Sequence, residues 1–331
     1  MRPGIALPGA VTPQEAQRLA AQAEAAGCEA IWVLDVRREP YLLAAAAITS
    51  TSRLSVGPNV AVAFARSPTV TAAAAWDLQV WSEGRFILGL GSQVGPTLEA
   101  RYGVTADHPA RRMKDYVGAV RACFEAFGKG FGRYEGEFYR IKRPAFQPGA
   151  EAGVVPPPVY VAAVNPVMAR AAGECADGIA AHPFTTERYL EETLRPAISA
   201  GATAAGRPPP QLLLQLVVAP NRQLAAKQML AYTVPAYRRV LDEEGLGEIA
   251  DAVIAAMAAG RRTEAADLID DGYLDLLGVV LEEDLEAGIR RWAPHCDRLS
   301  LSVPWFGMTD EEQLRAAERI IAAVGAFHGN G

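Results

Sequence analysis

Histidine and cysteine are both scarce, with four of each in 331 residues. Cys28, Cys123, Cys175 and Cys296 lie far apart and form no CxxC pair. That excludes a disulfide framework and a paired-cysteine zinc site, and a reducing cytosol is the simplest home. No H-x-H pair is present, which argues against a mononuclear hydrolase metal centre, and no metal is expected. The G-x-S-x-G nucleophile elbow is also missing. No charge of one sign dominates: 32 Lys and Arg are spread along the chain against 38 Asp and Glu, for a net charge of −6. With no dense basic run, nucleic acid is not an expected partner. No uncharged apolar run reaches the roughly 18 residues of a membrane span. The opening "MRPGIALPGA" is too short and too rich in Pro and Gly to be the apolar part of a signal peptide.

Half of the residues are hydrophobic, ample for a large core. They fall into short apolar runs that alternate with helical stretches. Strands are expected at "PGIALP", "EAIWVLD", "RLSVGPNVAVAF", "RFILGLG", "PPPVYVAAV", "DGIAAHPF", "QLLLQLVVAP" and "DRLSLSVPW". Thr12-Pro13 and Ser67-Pro68 mark helix starts, each a capping hydroxyl followed by Pro in the first turn. A helix is expected over 109–127, another from Thr186 to about Ala204, and a last one from about Asp310 to Ala326. Eight strand–helix alternations imply parallel strands joined by crossover helices. A (β/α)8 TIM barrel follows, as a single domain over 1–331, with a hairpin insertion at 132–143 and a helical insertion at 221–292. An open doubly wound sheet is the alternative. Against it, no G-x-G-x-x-G follows the first strand.

In such a barrel the chemistry sits at the C-terminal strand ends. Those ends offer Asp35, Arg37 and Arg38 after the second strand, Arg66 after the third, and Gly91, Ser92 and Gln93 after the fourth. Ala163, Val164 and Asn165 follow the fifth strand, and His182 the sixth. This rim is mostly small, neutral or amide-bearing, which suits a flat ligand needing close backbone approach. Asn165 starts a helix whose free N–H groups suit a phosphate, worth about 0.3–1 kcal/mol per charge at an exposed end. Simpler roles stand beside these. Asp35 suits a turn cap, Arg37 and Arg38 a solvated pair, Asn165 a helix cap, His182 a core position, and Gly89 and Gly91 barrel packing. Trp32 suits the barrel wall or core.

Two long stretches, "GPNVAVAFARSP…AAAAWDLQVWSEGRFILGLGSQ" and "PPPVYVAAVNPVMARAAGECADGIAAHPF", resemble the bacterial-luciferase-like oxidoreductases. The likeness is closest to the actinobacterial branch that uses the deazaflavin coenzyme F420, and "AYTVPAYRRVLDEEG" and "DRLSLSVPW" extend it toward the C-terminus. The resemblance implies a TIM barrel that moves hydride at the deazaflavin C5, or one that uses reduced FMN for oxygenation. It implies a bulge in the third strand over Asn59, Val60 and Ala61, with Asn59–Val60 as a cis peptide. Gly91 and Ser92 then wall the ring edge, with Gln93 beside them. "AAVN" (Ala162, Ala163, Val164, Asn165) holds the ribityl chain and phosphate, and His182 contacts the cofactor. Arg37, Arg38 and Arg66 suit the coenzyme's acidic tail.

One departure stands out. Deazaflavin relatives commonly end the second strand with an acid followed by His, whereas this chain reads "LDVRREP". Asp35 keeps the acid, and Arg38 is the expected electrostatic clamp, since a guanidinium does not release a proton near neutrality. The catalytic candidates are therefore Asp35, Arg38 and Gln93. The expected function is F420-dependent hydride transfer with a small organic substrate, as a cytoplasmic homodimer. An FMN-dependent monooxygenase and a family barrel without redox chemistry are the alternatives.

Overall fold

The computed structural model describes residues 1–142 and 153–329. In chain order the strands are β1 (Gly4–Ala6), β2 (Ala30–Val33), β3 (Ser55–Pro58), β4 (Ala61–Val62), β5 (Leu88–Gly91), β6 (Tyr134–Glu135), β7 (Arg140–Ile141), β8 (Val159–Ala163), β9 (Gly178–Ala181), β10 (Gln211–Ala219), β11 (Val279–Leu281) and β12 (Arg298–Ser302). The helices between them are α1 (Pro13–Ala25), α2 (Pro40–Thr49), α3 (Pro68–Trp81), α4 (Gly95–Tyr102), α5 (Pro109–Lys129), α6 (Pro166–Cys175), α7 (Glu187–Tyr189), α8 (Arg195–Ala204), α9 (Arg222–Tyr232), α10 (Arg238–Glu243), α11 (Gly247–Ala258), α12 (Arg262–Asp267), α13 (Asp271–Leu276), α14 (Leu285–Trp292) and α15 (Asp310–Gly329).

The strands pair in the order β3-β2-β1-β12-β10-β9-β8-β5-β4, and every register in this sheet is parallel. β3 and β4 are two halves of one interrupted strand. A parallel bridge from Val56 to Phe86 and the Ile87 N–H bond to the Val56 carbonyl (2.9 Å) bring the two ends of the sheet together. The result is an eight-membered barrel, the third member being β3 with β4.

Alternation along the strands builds two layers. Leu212, Leu214 and Leu216 of β10 face the helices, while Leu213 joins Ala6, Ala30, Trp32, Ile87, Tyr160 and Ala180 in a separate cluster inside the barrel. Three alanines share that inner set with four larger side chains, and the Trp32 and Tyr160 rings sit 6.4 Å apart. Trp32 is thus a core residue, with its indole N–H enclosed and unpaired.

Local signals set the helix starts. Thr12 closes a capping box: its hydroxyl accepts from the Glu15 N–H at 3.2 Å and Glu15 Oε2 accepts from the Thr12 N–H at 2.7 Å. Ser67 Oγ accepts from the Val70 N–H at 3.3 Å. The insertions differ in part from expectation. β6 and β7 form the antiparallel hairpin, with Arg143 of its expected range outside the described residues. The 221–292 insertion is not wholly helical, because β11 pairs in parallel with the end of β10. "GVVL" is too short a run to signal a strand against its helical surroundings. α4 is a helix that the glycine- and proline-bearing "VGPTLEARY" does not announce. No helix among the described residues is long and apolar enough to cross a membrane.

Candidate active site

The mouth is built where the third strand breaks. The Asn59–Val60 peptide is cis, and the bulge it makes separates β3 from β4. The neighbouring strand must be bare to accept this bulge. A Cβ on Gly89 would lie 2.0 Å from the Pro58 carbonyl oxygen, and one on Gly91 would lie 2.5 Å from Val60 Cγ2. The glycines that end β5 are therefore required by strand packing, before any ligand is considered.

Asp35 sits immediately beyond β2. Its Oδ2 accepts from the Val62 N–H at 2.9 Å and from Arg66 Nη1 at 2.8 Å. Arg66 also donates to the Val62 carbonyl (3.1 Å) and to Glu39 (2.8 Å). Burial opposes the Arg66 charge, but Glu39 and Asp35 outweigh it and hold its pKa above the ordinary value. The pair is shielded, with 8% of the Asp35 side chain and 15% of Arg66 exposed. Asp35 thus ties the end of β2 to the far side of the bulge.

Arg38 is exposed and donates from Nε to the Ala10 carbonyl at 3.2 Å, on the rim after β1. Arg37 pairs with Asp310 and Arg66 with Asp35 and Glu39, so two of the three cations expected to meet an acidic tail are already engaged. Gln93 adopts a positive φ of 60°, and its Oε1 accepts from the Val94 N–H at 3.0 Å. Its amide N–H2 is left to donate. Ser92 is part-buried beside it.

Across the mouth, His182 follows β9. Its Nδ1 accepts from the Phe184 N–H at 3.1 Å, which puts the proton on Nε2. Tyr232 and Tyr237 flank the ring with centroids at 4.5 and 4.9 Å. Burial pushes the imidazole pKa down to about 3, so the ring is a neutral donor at physiological pH. Burial likewise pushes Tyr232 up to about 12. Ala162 and Val164 are part-buried and Ala163 buried in the wall between β5 and β9.

Asn165 stands at the N-cap position of α6 but forms no capping bond. Its Nδ2 instead donates to the Ala236 carbonyl at 3.0 Å, in the insertion. The first turn of α6, with Pro166 at its start, keeps its backbone N–H groups without a side-chain cap. Inside the mouth, the Asn59 amide donates to Gln215 at 3.1 Å, and Asn59 and Ala61 are buried with Val60 part-exposed. Gln215, Tyr232 and Tyr237 were not among the expected site residues. Gln215 alone carries a readable signal, a polar residue at an inward position of "QLLLQLVVAP". A cavity of about 730 Å³ lies elsewhere, on the face of α9 opposite Tyr232, lined by Arg222, Lys227, Leu230 and Arg262 among others.

A family model described as luciferase-like monooxygenase matches residues 1–284. The chain belongs to this family. An uncharacterized protein of Mycobacterium tuberculosis is 37% identical over 307 residues, covering 88% of this chain and 89% of the relative. An F420-dependent glucose-6-phosphate dehydrogenase of Mycolicibacterium fortuitum is 32% identical over 212 residues, 59% of this chain and 61% of that enzyme. Among solved structures, the coenzyme F420 dependent tetrahydromethanopterin reductase of Methanopyrus kandleri aligns with a TM-score of 0.77 at 21% identity, covering 97% of each chain. A type II Baeyer-Villiger monooxygenase of Pseudomonas putida in complex with FMN aligns with a TM-score of 0.63 at 16% identity, covering 98% of each. These two share the barrel of this family member. Relatives of the chain thus include F420-dependent oxidoreductases, and the fold also carries FMN.

Proposed function

We propose that this protein is an F420-dependent oxidoreductase, exchanging a hydride between the deazaflavin C5 and a small organic substrate held at the barrel mouth. One observation carries the reading: the mouth combines a wall of small residues with neutral, oriented polar groups and an uncapped helix start. Ser92 and Ala162 leave room for a flat ring beside Val60, and the first turn of α6 presents unpaired N–H groups suited to a phosphate. The choice of F420 over FMN is supported by the F420-dependent dehydrogenase that matches 59% of the chain.

When bound, the deazaflavin supplies a ring carbon that gives or takes a hydride. The chain's own residues supply the surroundings. Asp35 keeps the bulge in place through Val62 and Arg66. His182 Nε2–H and the Gln93 amide are neutral donors, able to steady charge that develops on a carbonyl or ring oxygen without themselves titrating. Arg38 carries a fixed charge at the solvent edge and forms no ion pair among the described residues. Its proposed role is to attract an anionic group there.

The test is a paired assay. Protein is mixed with oxidised F420 and a panel of alcohols, and with reduced F420 and carbonyl compounds, while the deazaflavin absorbance is followed. Protein-dependent change with any substrate supports the reading. Oxygenated product from reduced FMN and oxygen, with F420 inert, would replace it with a monooxygenase. Binding of either cofactor without turnover on the panel would favour a barrel without redox chemistry.

A further inference from the structure

A line of polar side chains crosses the barrel interior beside an apolar cluster that includes Trp32, Ile87, Tyr160 and Leu213. Asn59, on the bulge, donates from Nδ2 to Gln215 Oε1 at 3.1 Å. Gln215, on β10, donates from Nε2 to Ser302 Oγ at 3.1 Å. Ser302, on β12, donates to the Leu216 carbonyl at 3.0 Å. All three are enclosed, with 9%, 9% and 3% of their surfaces exposed.

The chemistry of the far end gives this line a direction. A backbone carbonyl only accepts, so the Ser302 hydroxyl must spend its single proton on Leu216. Ser302 Oγ then offers only lone pairs to Gln215, which must present its N–H2. Gln215 in turn shows its carbonyl oxygen to Asn59, and Asn59 must answer with N–H2. The orientation of both amides follows from the anchor at Leu216. Asn59 Oδ1 is the end left over. It has no partner among the described residues, yet it is not sealed from solvent as the indole nitrogen of Trp32 is.

We propose that the line Leu216–Ser302–Gln215 fixes the Asn59 amide so that its Oδ1 stands as a hydrogen-bond acceptor for an N–H or O–H of the ligand in the mouth. Gln215 is the positioning residue, acting through Asn59 and not on the ligand. The inference rests on the cofactor reading above in one respect only, the probes used to test it, F420 and FMN, whose rings both carry N–H groups.

Three variants separate positioning from packing. Gln215→Met keeps the volume of the side chain but releases Asn59. Gln215→Glu, held as the neutral acid by its enclosure, keeps an oxygen acceptor toward Asn59 Nδ2 and an O–H donor toward Ser302 Oγ. Asn59→Ala removes the ligand acceptor itself. Each is titrated with F420 and with FMN, and its cofactor-free unfolding is followed to establish that it folds. For whichever cofactor the wild type binds, Asn59→Ala should weaken binding about tenfold and Gln215→Met about three- to tenfold. Gln215→Glu should restore affinity to within about threefold, and the double variant Asn59→Ala/Gln215→Met should bind no more weakly than Asn59→Ala alone. Folded Gln215→Met with wild-type affinity, or losses that add in the double variant, would overturn the proposal.

A second measurement stands apart from the cofactor. The chain has four asparagines, so selective ¹⁵N-Asn labelling resolves four side-chain amides. Asn59 should show an amide proton that exchanges slowly in the wild type and rapidly in Gln215→Met. If the wild type binds neither cofactor, the functional reading fails while this signature still supports the fixed amide. Fast exchange at Asn59 in the wild type overturns the fixed amide itself.

Discussion

A neutral histidine with one nitrogen already bonded is a donor whose availability depends on pH in a calculable way. The His182 pKa is pushed down to about 3 by burial, against about 6.5 for an unfolded chain. Its contribution to stability is fully present above about pH 6.5 and is lost as pH falls toward 3, because the unfolded chain takes the proton first. The loss is at most about 1.4 kcal/mol per pH unit in that window. Denaturant unfolding of wild type and His182→Phe from pH 7 to pH 4 should show the wild-type advantage shrinking as the solution is acidified. Parallel curves would mean that the ring protonates freely in the folded protein. Arg38 makes a different prediction. Being exposed and bonded only to the Ala10 carbonyl, it should act on the affinity of an anionic ligand more than on turnover. Arg38→Ala should raise KM or Kd several-fold at low salt, with the difference fading as salt is added. An equal loss in kcat would place the guanidinium at the reacting atoms. At this scale the sequence announces residue types at strand ends, and Asp35, Gln93 and His182 do lie around the mouth. Their partners were not legible. Nothing in "LDVRREP" says that Asp35 will be spent on Arg66 and the Val62 N–H, since that bond spans the gap between two strands that only the fold brings together.

The elements owe their positions to two devices, caps and bare strand faces. The Thr12 box and the Ser67 cap were readable because capping is local, a hydroxyl followed by Pro and three residues later an N–H to satisfy. α4 and β11 were not, because a short helix after a glycine run and a short strand inside helices take their stability from tertiary neighbours. The closure between the third and fourth strands rests on Gly89, where a methyl group would meet the Pro58 carbonyl at 2.0 Å. Backbone oxygen cannot swing aside as a side chain can, so Gly89→Ala should cost about 2–4 kcal/mol or prevent folding. Thermal unfolding measures it, and a wild-type midpoint would show that the strands separate easily. Asp35→Ala tests the tether beside it. Removing one partner of a shielded ion pair typically costs about 3–5 kcal/mol, but Arg66 keeps Glu39 here, and about 2–3 kcal/mol is expected. The same variant should lower cofactor affinity, since the bulge loses its anchor at Val62. Unchanged stability would reduce Asp35 to a surface turn residue.

For the molecule as a whole, periodic alternation carried the architecture. Eight apolar runs separated by helical stretches correspond to the eight members of the barrel, the third interrupted at Asn59–Val60. What alternation does not encode is the crossing of the mouth by Asn59, Gln215 and Ser302, residues on three strands whose nearest pair is 87 positions apart. The central claim is that a deazaflavin seats in this mouth, and a crystal structure of the protein soaked in oxidised F420 tests it most directly. The account predicts the ring in the barrel mouth against Val60 and Gly91, with the phosphate at the first turn of α6. Density for the coenzyme in the cavity between α9 and α12, or none at saturating concentration, would contradict it.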